Sequence, residues 1–135
     1  MRNNFNFKIL AKEWFEKGSH DFHEAKLSFA HGGWADIICF HCHQAAEKHL
    51  KGFLVSKGRD ITAKKYKIHD LRILLRVCYE LESSLKAIHA ECTILNQYYI
   101  EPRYPLGEPK AYSKEEAREA IEATEKIVSL IISVT

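Results

Sequence analysis

HCHQAAEKHL, residues 41–50, places three histidines, one cysteine and one glutamate within ten positions. Around this stretch, from about residue 34 to residue 56, residues of similar polarity recur at three- and four-residue steps, which is the period of an amphipathic α-helix. Gly58 follows as a stop signal. The stretch is therefore expected to lie on a long helix, on which side chains three or four positions apart share a face.

Helical spacing argues against a metal site in this stretch. Zn²⁺ accepts histidine and cysteine ligands, but His41 and His43 are two positions apart and point to different sides of a helix. His41 and His49 are separated by about 12 Å along the axis, too far for one ion bound about 2 Å from each ligand. We therefore expect no metal, and we expect Cys39 and Cys42 to be packing residues rather than nucleophiles.

The helical period recurs along the rest of the chain and predicts an all-α protein. No segment shows the sustained two-residue alternation of a half-buried strand. Ser113 and Glu116 have the spacing of a capping box at the start of the last helix. Helices of about 15–25 residues would measure about 22–38 Å, the proportions of an up-and-down four-helix bundle with an additional short helix. The expected helices lie at about 14–29, 34–56, 69–81, 85–100 and from Ser113 onward.

Composition fits a single helical domain over residues 1–135. The hydrophobic fraction of 46% is normal for a globular core. The 20 basic and 18 acidic residues are too balanced for the whole molecule to bind nucleic acid by charge alone. Any anion site must therefore be local. Residues 57–67 contain five cationic residues and one acid, Asp60, and are expected to form a solvated basic loop.

The N-terminal stretch carries charges throughout and lacks the apolar region of a secretory signal. No apolar run approaches the roughly 20 residues of a membrane-spanning helix. The four cysteines lie inside helix-like segments, which is typical of reduced thiols rather than of a disulfide framework. We therefore expect a soluble, cytoplasmic protein.

The stretch EPRYPLGEPKAY, residues 101–112, is long for a helix connection and is a candidate functional loop. Pro102 and Pro105 restrict the backbone on either side of Arg103, so its guanidinium would lose less entropy on gripping an anion. Tyr104 beside it is the better candidate for stacking on a base, whereas Tyr99 is expected to lie in the core.

The second helix carries a polar ridge, because Gln44, Lys48 and Lys51 follow each other at steps of four and three. One interpretation is a solvated face with a Glu47–Lys51 pair worth a few tenths of a kcal/mol. The alternative is a site for a phosphate or nucleotide, in which neutral His69 donates to the phosphate or acts as a general base. The side chains of that candidate site are Gln44, Lys48, Lys51, His69, Arg103 and Tyr104.

Three stretches precede the capped last helix: QAAEKHLKGFL (44–54), HDLRILL (69–75) and YYIEPRYP (98–105). In this order and at these separations, they resemble the HEPN domain. The resemblance is strongest to the branch that accompanies minimal nucleotidyltransferases. It covers nearly the whole chain, since Trp14 and Asp21-Phe22 fall where the family has its first-helix signature.

The resemblance implies a bundle of four long helices with a short fifth element, usually as a homodimer. Such proteins often form a complex with a nucleotidyltransferase encoded beside them, commonly described as a toxin–antitoxin pair. The family name reflects nucleotide binding. Many relatives are ribonucleases that share an arginine followed, after four to six residues, by a histidine at the dimer interface.

This chain departs from that ribonuclease pattern. None of its arginines has a histidine at the required downstream offset. His89 would need an arginine at one of three positions, which are occupied by Glu82, Ser83 and Ser84. The departure argues against catalysis and leaves open whether the chain is an enzyme.

The leading hypothesis is a HEPN-like module that interacts with a nucleotide, binds a nucleotidyltransferase partner and needs no cofactor. One alternative is a metal-independent endoribonuclease toxin that uses His69 and Arg103 as catalytic residues. Another is a purely structural dimeric adaptor.

Overall fold

The computed structural model of the chain describes residues 4–66, 68–99 and 112–135, with side chains from residue 6 onward. These residues contain α-helices, two 3₁₀ helices (Lys64–Tyr66 and Ser83–Ile88) and their connections, and none of them forms a strand. The predicted all-α class is confirmed. The α-helices are α1 (Asn4–Ala30), α2 (Ala35–Ser56), α3 (Leu71–Leu81), α4 (His89–Asn96) and α5 (Lys114–Ser133).

Helix α2 is the central element, since it packs against α1, α3, α4 and α5. Leu50, Phe53 and Leu54 have no solvent-exposed surface, and most of α2 from residue 38 to residue 55 is buried. Burial of a large apolar side chain stabilises a fold by about 1.5–3 kcal/mol, so α2 supplies much of the core. One stripe of α2 stays partly or fully open to solvent: Ile37, His41, Gln44 and Lys48.

Helices α1 and α2 approach each other closely because each contributes a glycine to their contact. A Cβ atom on Gly18 would lie 2.5 Å from Nδ1 of His49, and one on Gly52 would lie 2.6 Å from Cε1 of Phe15. Both distances are too short for real atoms. The glycines therefore allow the two aromatic rings to fill the space between the helices.

The helix ends follow from local capping chemistry. Gly58 has a φ of +77° and follows the end of α2, as its position predicts, because a left-handed conformation there favours glycine. Asp70 caps α3 by accepting a hydrogen bond from the backbone N–H of Arg72. The predicted capping box of Ser113 and Glu116 is present at the start of α5.

Helix α1 begins at Asn4, about ten residues before its predicted start at residue 14, whereas two other helices are shorter than predicted. The third was expected from His69, but it begins at Leu71 because Asp70 is its cap. The fourth was expected to run to about residue 100, but an initial 3₁₀ segment precedes α4, which ends at Asn96. A turn follows, in which the N–H of Tyr98 bonds to the carbonyl oxygen of Leu95. This turn decides where the two tyrosines that follow α4 point.

The four cysteines are free and fully buried, so the expectation of packing thiols is confirmed. Burial raises the pKa of Cys42 to about 11 and that of Cys39 to about 12. Thiols with such pKa values stay protonated at neutral pH and are poor nucleophiles.

Among the helices in the described part of the chain, none is both long and apolar enough to cross a lipid bilayer.

Candidate functional site

A buried carboxylate, that of Glu47 on α2, is the centre of the candidate site. Its side chain is 7% exposed, and both of its oxygens accept hydrogen bonds. Lys51, one turn further along α2, donates from Nζ to Oε2 at 3.1 Å. His69, which lies two residues before α3, donates from Nδ1 to Oε1 at 2.8 Å. Glu47 therefore joins two predicted site residues, and it connects α2 to the start of α3.

The Glu47–Lys51 pair is not the solvated pair that one interpretation of the ridge predicted. Lys51 is only 9% exposed and its Nζ lies 6.0 Å from the centre of the Trp14 ring of α1. That interpretation was wrong because α1 covers this part of α2, which the helical period of α2 alone does not reveal. A buried pair of this kind has a large desolvation cost, which its hydrogen bonds offset.

His69 presents a half-exposed imidazole in a defined orientation. Its side chain is 46% exposed, and its ring stacks on Tyr99 at a centroid distance of 4.3 Å and an angle of 10°. Because Nδ1 donates to Glu47, Nε2 is the acceptor nitrogen of the neutral ring.

Buried His43 on α2 positions the site through two hydrogen bonds. Its Nε2 donates to the backbone carbonyl oxygen of His69 at 2.9 Å, and its Nδ1 accepts from the side-chain amide of Gln44 at 3.3 Å. These two bonds select the neutral tautomer with its proton on Nε2. Burial lowers the pKa of His43, so this tautomer persists at neutral pH. His43 therefore holds the backbone that carries His69, and it connects Gln44 to the site.

Lys48 belongs to a neighbouring cluster centred on Asp21 of α1. Lys48 donates from Nζ to one oxygen of Asp21 at 2.5 Å, and Nδ1 of His41 lies 3.1 Å from the other. Asp21 is thus the α1 counterpart of Glu47. Lys48 and Lys51 each have an internal carboxylate partner, so an anion bound to either would have to compete with that partner.

A pocket of about 370 Å³ opens beside the His69–Tyr99 stack. Ile68 and Ile73 form apolar walls, and Asn96 of α4 lies at its edge. The side-chain oxygen of Asn96 accepts from the backbone N–H of Leu71 at 2.8 Å, which fixes the amide against the start of α3. A planar aromatic ligand of nucleobase size suits this combination of stacked rings, apolar walls and a few polar groups.

The structure places Tyr98, and not Tyr99, in the core at the end of α4. Tyr98, which is 2% exposed, is the core residue, with its ring against Tyr112. Tyr99 is half-buried and contacts His43 as well as His69. The prediction that Tyr99 lies in the core was wrong because α4 ends at Asn96, and the following turn changes the direction of both side chains.

The remaining predicted site residues, Arg103 and Tyr104, lie outside the described residues. Sequence reasoning missed the site roles of five residues, which are Asp21, His43, Glu47, Asn96 and Tyr99. Asp21 carried a usable signal, since it lies seven residues after Trp14 on the buried side of α1. Within the described ranges no three histidine, cysteine or acidic side chains come together in a way that could hold a metal ion.

The two fully buried histidines of α2 make stability depend on pH. Burial lowers the pKa of His43 and of His49, whose Nδ1 donates to the carbonyl oxygen of Ala45. Below a pH of about 6.5 the unfolded chain binds protons at these rings that the folded chain does not bind. We expect the free energy of unfolding to be independent of these groups above a pH of about 7.5. Below a pH of about 6.5 it should fall by up to about 1.4 kcal/mol per pH unit for each histidine.

Urea unfolding between about pH 5 and about pH 8 measures this dependence. A His49→Leu variant should show a shallower decline at low pH, whereas His31→Leu, at an exposed position, should keep the wild-type slope. Equal slopes in the wild type and the His49→Leu variant would contradict the assignment.

Comparison with known proteins agrees with this architecture. The model of the HEPN domain family matches residues 11–134. Among solved structures, the crystal structure of TT1696 from Thermus thermophilus is 29% identical in sequence, with a TM-score of 0.76 over 91% of this chain and 96% of that chain.

A second solved structure is that of ST0689, described as an archaeal HEPN homologue. It is 23% identical, with a TM-score of 0.70 over 91% of this chain and 95% of that chain, and so supports the fold alone. No curated protein sequence matches this chain significantly. Since the family match covers nearly the whole chain and these folds agree, the chain belongs to the HEPN domain family.

Proposed function

We propose that this chain is a nucleotide-interacting HEPN module that binds a nucleobase beside His69 and Tyr99. One observation carries the proposal: a half-exposed pair of stacked rings borders a pocket with apolar walls and a size suited to a base. A nucleobase in that pocket extends the stack as a third ring. Stacking of a base on an aromatic side chain contributes about 1–3 kcal/mol.

Arg103 and Tyr104 remain part of the proposed site. They follow Tyr99 by four and five residues in the sequence, and they keep the anion-binding and base-stacking roles expected for them. We propose that these residues position the site rather than contact the phosphate directly: Gln44, Lys48 and Lys51. Gln44 and Lys51 support the arrangement of Glu47 and His69 through the hydrogen bonds described above, and Lys48 holds Asp21 beside them.

Loss of the stacked ring should weaken nucleotide binding. In calorimetric titrations with AMP, Tyr99→Leu is expected to raise the Kd about tenfold, because one stacking contact worth about 1–2 kcal/mol disappears. Tyr79→Leu is the matched control, because Tyr79 is also half-buried but lies on α3 outside the pocket. Absence of AMP binding by the wild type, or an equal effect of both substitutions, would refute the site.

The proposed protein partner is a minimal nucleotidyltransferase, in a pair of the toxin–antitoxin type. The family relationship and an exposed apolar surface support this partner: Trp34 is 79% exposed, and Ile37, three residues later on α2, is 45% exposed. Such side chains favour burial against another protein. The same surface is available for a homodimer, and the four buried thiols suit a reducing, cytoplasmic environment.

Co-expression with the product of a neighbouring nucleotidyltransferase gene tests this partner. Co-purification of the wild type, with loss on Trp34→Asp but not on Ser19→Asp at an exposed position of α1, would support it. Light scattering on the isolated chain measures the homodimer. A monomeric chain that does not bind the nucleotidyltransferase would contradict both the partner and the homodimer. The nucleotide site would be tested separately.

A second candidate function is a metal-independent endoribonuclease. The observation that favours it is the Glu47–His69 hydrogen bond, because a carboxylate that orients an imidazole is a common arrangement for a general base. Arg103 would supply positive charge at the phosphate. This hypothesis predicts growth arrest on expression and RNA cleavage that survives a chelator, with both lost in His69→Ala. Cleavage that persists in His69→Ala would exclude it.

A further inference from the structure

A second and larger pocket, of about 570 Å³, adjoins the proposed base pocket. It lies between the connection that follows α2 and the outer face of α3. Ile73 of α3 lines both pockets and is 45% exposed, so the two pockets meet at this side chain. Apolar side chains, including Val77 and Leu81, line much of the larger pocket, and two cations, Arg59 and Lys65, also line it and are called the basic rim below.

The cations of this rim differ from those of the α2 ridge. Within the described part of the chain, neither Arg59 nor Lys65 forms an ion pair, whereas Lys48, Lys51 and Arg72 each have a carboxylate partner. An anion at the α2 ridge must displace Asp21 or Glu47. An anion at the rim breaks no ion pair among the described residues, so the rim is the more favourable place for an incoming phosphate.

Local structure holds the backbone of both cations in place. The N–H of Arg59 donates to the carbonyl oxygen of Leu54 at 3.0 Å, directly after Gly58 turns the chain away from α2. Lys65 lies in the 3₁₀ helix that buried Tyr66 anchors, and its Nζ lies 5.0 Å from the centre of the Tyr66 ring. This anchoring lowers the entropy lost when the two side chains close on an anion.

We infer that Arg59 and Lys65 form a subsite for the phosphate chain of a nucleoside di- or triphosphate. The inference rests on the proposed function only in placing the base beside His69 and Tyr99. From there the chain of phosphates crosses Ile73 and reaches the basic rim. A monophosphate ends next to the ribose, on the near side of Ile73, and contacts neither cation.

One acidic residue, Glu80 of α3, also lines the larger pocket and opposes the two cations. It reduces the positive charge of the subsite from two to one. The subsite therefore favours phosphate chains by a moderate factor. Glu80 also provides a test in the opposite direction, because removal of its carboxylate must raise the affinity for a polyphosphate, whereas removal of the cations must lower it.

The decisive experiment compares adenosine, AMP, ATP and inorganic tripolyphosphate by calorimetry at one ionic strength. For the wild type, ATP should bind about tenfold more tightly than AMP, which corresponds to about 1.4 kcal/mol. Arg59→Ala with Lys65→Ala should abolish this advantage and leave adenosine and AMP unchanged. The matched control, Lys12→Ala with Lys17→Ala, removes the same charge from exposed positions of α1 and should retain the advantage.

Glu80→Gln should lower the Kd for ATP about threefold and leave the Kd for AMP unchanged, which is opposite to the effect of removing the cations. All of the substituted positions lie at the surface, and circular dichroism checks the fold of each variant. The inference would be overturned if the wild type bound ATP no more tightly than AMP. It would also be overturned if the double variant of Arg59 and Lys65 still bound ATP more tightly than AMP.

The outcomes separate this inference from the proposed function. Binding of adenosine and AMP without an ATP advantage refutes the phosphate subsite and keeps the base pocket. Tripolyphosphate binding that needs Arg59 and Lys65, without any nucleoside binding, keeps the subsite and refutes the base pocket. If the double variant loses affinity for a single-stranded RNA but ATP shows no advantage, the rim binds a polynucleotide and the inference is wrong.

Discussion

Glu47→Ala is expected to lower the free energy of unfolding by about 3–5 kcal/mol. The substitution leaves the ammonium group of Lys51 in a site that is only 9% exposed, without the carboxylate that now accepts its hydrogen bond. An unpaired charge at such a position has a large desolvation cost. His69 loses its partner as well, but its side chain is half-exposed and water can replace the bond. Urea unfolding slightly above neutral pH measures the change.

Two variants test whether the loss of stability in Glu47→Ala comes from the broken charge pair and not from lost packing. Replacing both Glu47 and Lys51 with leucine should recover most of the stability, because an apolar pair of similar volume carries no desolvation cost. Glu115→Ala removes one partner of Arg118 at the exposed surface of α5, and it should leave the urea midpoint nearly unchanged because water screens this pair. A double leucine variant as unstable as Glu47→Ala would show that this explanation is wrong.

Phe53→Ala is the second substitution with a large expected effect, also about 3–5 kcal/mol. Phe53 lies on the central helix, has no exposed surface and belongs to the main hydrophobic core. Truncation removes its apolar contacts and leaves a cavity that helices already packed on several sides of α2 cannot easily fill. The expected result in urea is a lower midpoint with an unchanged slope, since the surface exposed on unfolding stays similar.

Phe40→Ala provides the matched control on the same helix. Phe40 is half-buried, so its truncation removes less apolar contact and should cost about half as much or less. Equal costs at the two positions would mean that α2 is not the centre of the core.

Glu47 contacts His69, and His69 contacts Tyr99, so a substitution in this group can change both stability and nucleotide binding. Glu47→Ala changes both stability and the orientation of His69, whereas Tyr99→Leu changes a half-buried ring and leaves Glu47 paired. Binding should therefore be measured in Tyr99 variants and in the double variant of Arg59 and Lys65. These leave the buried charge pair intact and keep the two effects apart.

Much of the helical architecture could be predicted from local patterns. Periodic apolar residues located the helices, and Gly58 and the Ser113–Glu116 pair marked where α2 ends and α5 begins. Such signals act through the backbone over a few residues, so they need no knowledge of the fold. The end of α4 was mistaken, because no strong stop residue occurs at Asn96. Contacts of Asn96 with the start of α3, and of Tyr98 with Tyr112 before α5, accompany the end of the helix there.

By itself, the sequence determined the all-α class, most helix boundaries, the buried thiols and the resemblance to the HEPN family, because each depends on spacing along the chain. Only the tertiary structure decided which charges meet. Glu47 shares its carboxylate between Lys51 and His69, and Asp21 captures Lys48. By contrast, no carboxylate of the described residues pairs with Arg59 or Lys65. These arrangements depend on how separate helices pack, and packing distance and burial set the energy of a charge.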